Sequence, residues 1–99
     1  MVNRPISYPE LIAVLREAQE FLALPGNDFV WSSWDGAEQG IQELNGHIAG
    51  VEAGEPVRRI RLETLFAPTG PLQEVSVSSG WGQEFLNMAK RFDTAMGIG

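Results

Sequence analysis

The segment Ala67-Pro68-Thr69-Gly70-Pro71 limits the folding of this chain more than any other. Pro68 presets the backbone for position i+1 of a turn, and Gly70 supplies the positive φ that such a reversal often requires. The sequence alternates on both sides of it. From Val57 to Phe66, the residues Ile60, Leu62, Thr64 and Phe66 fall on one side and Arg59, Arg61, Glu63 and Leu65 on the other. From Leu72 to Ser78, Val75 and Val77 oppose Glu74, Ser76 and Ser78. The expectation is a β-hairpin over 57–66 and 72–78. Pairing Thr64 with Val75 and Leu62 with Val77 collects Ile60, Leu62, Thr64, Phe66, Val75 and Val77 on a dry face. The same register stacks Arg59, Arg61, Glu63, Glu74, Ser76 and Ser78 on a wet face, and a slip of one residue would destroy the match.

Three helices and one further strand complete the reading. Ser7 followed by Glu10 has capping-box spacing, Pro9 is tolerated in a first turn, and Leu11, Val14, Leu15, Ala18 and Leu22 recur at helical spacing before Pro25-Gly26. Asp28 to Trp34 is aromatic and partly β-branched, which predicts a strand with Phe29, Trp31 and Ser33 on one face and Val30, Ser32 and Trp34 on the other. Asp35 and Glu38 repeat the capping spacing ahead of Ala37, Ile41, Leu44, Ile48 and Val51. That second helix is weakened by interior glycines, each costing about 1 kcal/mol relative to alanine. After Gly80, the residues Trp81, Phe85, Met88, Ala89, Phe92 and Met96 form a third apolar stripe, with Gly97 as its cap. The predicted fold is therefore α+β, an α/β two-layer sandwich in the order α-β-α-β-β-α. Its three-stranded sheet carries the helices mainly on one face, in a single domain over 1–99.

Composition narrows the classes of function. The chain has no cysteine, which excludes disulfides, thiolate metal sites and thiol catalysis. Its net charge of −6 opposes sequence-independent binding to nucleic acid and to anionic membranes, and suits a basic partner. No apolar run approaches the ~20 residues that cross a bilayer, and the opening Met1-Val2-Asn3-Arg4-Pro5 lacks the apolar core of a signal peptide. A cytoplasmic protein is expected.

Few residues are grouped for chemistry. His47 is the single histidine, with only Glu43 as a neighbouring helper, and reads as a surface or boundary residue. The pairs Asp35 with Glu38, and Glu52 with Glu55, are accounted for by a cap and a turn. Gly80-Trp81-Gly82 lacks the lysine of a phosphate loop. Arg58, Arg59 and Arg61 gather three cations in four positions. Trp31 and Trp81 read as core residues, whereas strand parity leaves Trp34 either buried or exposed. No catalytic residue, metal ligand or cofactor is expected.

These features point to a non-enzymatic interaction protein, regulatory or inhibitor- and immunity-like. It would present the wet hairpin face of Arg59, Arg61, Glu63, Glu74, Ser76 and Ser78, with Trp34, to another protein or to its own copy. An exposed sheet edge would serve strand-to-strand dimerisation. The alternative is a small-molecule or anion-binding domain built on Arg59, Arg61 and a tryptophan. A carboxylate enzyme using Asp35 and Glu38 is the third reading.

Overall fold

The first helix, α1 (Tyr8–Leu22), forms where its periodicity predicts and buries the five apolar residues named for it, Leu11, Val14, Leu15, Ala18 and Leu22. The structure is a computed structural model and describes residues 4–98. The opening residues Met1 to Asn3, read above for a signal peptide, lie outside the described residues. Ser7 occupies the N-cap position of α1, yet its hydroxyl makes no capping bond. α2 (Ala37–Glu52) also begins near its predicted start, with Gly36 rather than Asp35 at the N-cap and no side-chain cap. Both helices are held by what their apolar stripes pack against.

The hairpin is not there, and the predicted α/β sandwich is overturned. Among the described residues the fold is all-helical and has no sheet: 57–66 contains α3 (Arg59–Phe66), and 72–78 lies inside α4 (Pro71–Ser79). Two short alternating runs also satisfy a helical template. The helical arrangement buries Leu62, Leu65, Phe66, Leu72 and Val75, and leaves Ile60 83% and Val77 67% exposed. The hairpin would bury Ile60, Leu62, Phe66, Val75 and Val77 and strand Leu65 and Leu72 on the wet face. Each arrangement hides five apolar side chains, at ~1.5–3 kcal/mol apiece, so burial alone does not decide between them. The backbone does. A two-stranded ribbon without a third strand is marginal in water, whereas a helix satisfies its own hydrogen bonds and needs only a surface to lie on.

The turn residues punctuate helices instead. Pro71 stands in the first turn of α4, where its missing N–H costs nothing, and Gly80 ends α4 with φ +88°. The Trp81 amide then reaches back 2.9 Å to the Ser76 carbonyl. Gly70 does not supply the positive φ; its φ is −75°, and Thr69 takes the left-handed conformation at +63°. Glycine is needed at 70 for space, because a Cβ there would meet the Thr64 and Ala67 carbonyl oxygens.

The predicted strand at Asp28–Trp34 is likewise a loop. With no neighbouring strand its backbone has no ladder, and its own side chains take over. Asp28 Oδ1 accepts the Val30 amide at 2.9 Å, and Ser32 Oγ accepts the Trp34 amide at 3.2 Å. Trp31, read as a core residue, is 72% exposed, and Trp34, left open between core and surface, is 2% exposed.

α5 (Gly82–Ala95) completes the molecule, with Trp81 at its N-cap and Phe85, Met88, Phe92 and Ala95 buried. Gly80 therefore closes one helix rather than opening the next. α1 lies between α2 and α5; α4 packs on α5, and α3 on α4. Phe66 of α3 reaches α5 and stacks on Phe92, with ring centroids 4.2 Å apart. Trp81 packs against Phe21 of α1 at 5.0 Å.

Candidate functional site

Two surfaces gather groups that folding alone does not account for. The first is the connection between α1 and α2. Connections of this length without secondary structure are uncommon in small domains and are usually functional or disordered. This one is pinned at several points. The Asn27 amide donates to the Phe21 and Leu22 carbonyls at 2.8 and 3.1 Å, capping the end of α1, and its oxygen accepts the Trp81 indole N–H at 2.9 Å. The Asp28 amide donates to Ser79 Oγ at 2.9 Å, and Ser32 Oγ to the Pro71 carbonyl at 3.4 Å. Residues 28 to 32 thus run antiparallel along the whole of α4. Trp34 then anchors the far end, buried over Gly40, with its indole N–H on Glu43 Oε1 at 3.2 Å. Between these fixed points Val30 and Trp31 stand out, 77% and 72% exposed.

The carboxylates of Asp28 and Asp35 border an open hollow of about 540 Å³ in the same loop. Among the described residues no cation lines it, and from Glu17 to Val57 the sequence carries eight carboxylate side chains and no lysine or arginine. The exposed apolar pair Val30 and Trp31 is therefore set in an acidic half of the sequence.

The second surface is a groove of about 240 Å³ between the C-terminal half of α2 and the start of α3. His47, Arg58, Arg61, Glu43 and Glu55 supply its polar groups, and Val51, Val57 and Leu62 its apolar lining. Arg58 is the N-cap of α3 and Arg61 lies in its first turn, and both line the groove. Burial holds the His47 imidazole below its usual pKa; Glu43 opposes this, while Arg58 and Arg61 add to it.

The residues predicted as a single binding face are dispersed. Trp34 is in the core, and so is Ser76, whose hydroxyl donates to the Gln73 carbonyl at 2.8 Å. Arg59 is half-buried, donating to the Met96 carbonyl at 3.2 Å and facing Glu63 at 3.8 Å, so it ties α3 to the end of α5. Glu74 lies in the first turn of α4, and Ser78 is half-buried near its end. Arg61 reaches the groove between α2 and α3, and it does so with Arg58 rather than Arg59; no tryptophan lines that groove. The wet face does not exist, and with no strand among the described residues there is no sheet edge for dimerisation.

Asp28 and Trp31 were missed because the strand reading over 28–34 makes the first a ladder residue and the second a core residue; Asn27 fell between the predicted elements. Asn and Asp before an aromatic pair, followed by Ser-Ser, were the available signal, since these side chains commonly bond nearby backbone. Among the described residues no group of three or more His, Cys, Asp and Glu side chains could hold a metal ion. No described helix is long and apolar enough to cross a membrane. Compared with known protein families, curated proteins and solved structures, the chain matches none of them.

Proposed function

We propose that this chain is a non-enzymatic protein-interaction module that docks a basic protein partner through the 27–36 loop, with Trp31 as the anchor. The exposure of Trp31 on a loop fixed at both ends carries this reading. Tryptophan is enriched among the few residues that dominate interface energies, and truncating such an anchor typically costs about 2 kcal/mol or more. A loop already held in place loses little further entropy on docking. Val30 extends the apolar contact, and Asp28 and Asp35 favour a lysine- or arginine-bearing surface opposite.

The test compares the protein with its Trp31→Ala variant as immobilised baits. Trp31 contributes nothing to the core, so the variant should keep the parent's circular dichroism and melting temperature. The expected outcome is a bound protein of basic isoelectric point, released by raised salt and retained at least ~30-fold less well by the variant. Equal retention by both baits, or capture that does not depend on Trp31, overturns the reading. So does a Trp31-dependent dimer in sedimentation, which would make the occupant a second copy.

A further inference from the structure

We propose that the groove between α2 and α3 binds a small oxyanion, a carboxylate or phosphate head on a compact apolar body, gripped by Arg58 and Arg61 with His47 as the third donor. Arg16, Arg59 and Arg91 each pair with a glutamate. Arg58 and Arg61 have no carboxylate within ion-pair distance among the described residues, even though Glu43 and Glu55 line the same groove. Two unpaired guanidiniums lining one groove offer the planar, two-pronged donors by which arginine holds carboxylates and phosphates. Between the α2 side chains that line the groove, Gly46 leaves open space, where a Cβ would touch nothing within 4 Å. A cavity of about 240 Å³ admits a small organic acid or phosphate ester, whose body would lie on Val51, Val57 and Leu62.

The charges around His47 set how the site responds to pH. Glu43 is on its own helix, Glu55 follows that helix, and Arg58 and Arg61 face it from the start of α3. Two carboxylates offset two guanidiniums, so protonation of His47 decides the sign of the groove. Glu43 already accepts the Trp34 indole N–H, which directs part of its charge away from the ligand. By linkage, an anion must raise the pKa of His47 by the factor through which the proton tightens the anion.

His47 is the only histidine in the chain, so its imidazole resonances report on the groove directly. The probes are sodium sulfate, a tetrahedral anion of fixed charge, and sodium acetate, each titrated at constant ionic strength against sodium chloride. Saturable shifts of the His47 resonances, a raised His47 pKa and tighter binding at mildly acidic than at neutral pH are expected. Arg58→Ala and Arg61→Ala should each weaken binding about tenfold, and His47→Gln should bind without the pH dependence. A response to sulfate alone identifies a phosphate-type ligand, to acetate alone a carboxylate, and to both an unselective oxyanion site. The proposal is overturned if chloride produces the same shifts, if neither anion saturates, or if both arginine variants bind like the parent.

Discussion

At the residue scale, the outcome for each tryptophan follows from which backbone groups its neighbours satisfy. Trp34 is buried because Ser32 holds its amide and Glu43 its indole, and Trp31 is exposed because the Asp28 turn rotates it outward. The strand reading places Trp31 in the core and leaves Trp34 open; the loop exposes the first and buries the second. His47 carries a consequence that stability measurements can read. Its folded-state pKa lies below 6.5, because burial outweighs the pull of Glu43 and both arginines act in the same direction as burial. The unfolded chain therefore binds the proton more readily. Stability should be unaffected by this group above its ordinary pKa and should fall as pH drops towards the folded value. Melting temperatures across that window should show a slope that His47→Gln reduces. An unchanged slope would mean that other groups account for all of it.

At the element scale, α2 depends on its glycines in opposite ways. A Cβ at Gly40 would come within 2.8 Å of the Trp34 ring and 3.0 Å of Leu22, whereas at Gly46 it would meet nothing. Alanine gains about 1 kcal/mol of helix propensity at either site, but overpacking typically costs about 1–3 kcal/mol. Gly46→Ala is thus expected to stabilise by about 1 kcal/mol and Gly40→Ala to destabilise by up to about 2 kcal/mol, measured by urea denaturation. Equal effects at the two sites would show that Trp34 does not rest on Gly40. The narrow apolar stripe of α2 was legible, and so was the whole buried face of α1. α3 and α4 were not, because eight or nine residues are too few to separate period 2 from period 3.6. Leu65 and Leu72 were the discordant residues: a strand leaves both wet, while helical spacing buries them with Leu62, Phe66 and Val75.

At the scale of the whole molecule, the segment that leads into α1 closes on the segment that leaves α5. The Arg4 amide donates to the Gly97 carbonyl at 3.0 Å and the Ser7 amide to the Ala95 carbonyl at 2.8 Å, so the segment before α1 is laid on the end of α5. Gly97 makes this possible with φ +76°, and a Cβ there would collide with the Arg4 backbone. Gly97→Ala should cost about 2 kcal/mol or more and speed hydrogen exchange at the Ser7 amide. Parental exchange at that amide would contradict the closure. The candidate sites show the same division between local and global cause. The sequence by itself determined α1, the apolar stripes of α2 and α5, the glycine that follows α5, and the absence of thiol chemistry, because these depend on near neighbours and composition. Tertiary structure alone decided that Arg59–Phe66 and Pro71–Ser79 are helices: the two patterns bury equal numbers of side chains, a ribbon with no third strand beside it is marginal, and a helix needs only a surface to lie on, which the neighbouring helices offer. It also decided which tryptophan faces solvent and which arginines meet His47, because those follow from where separate elements pack.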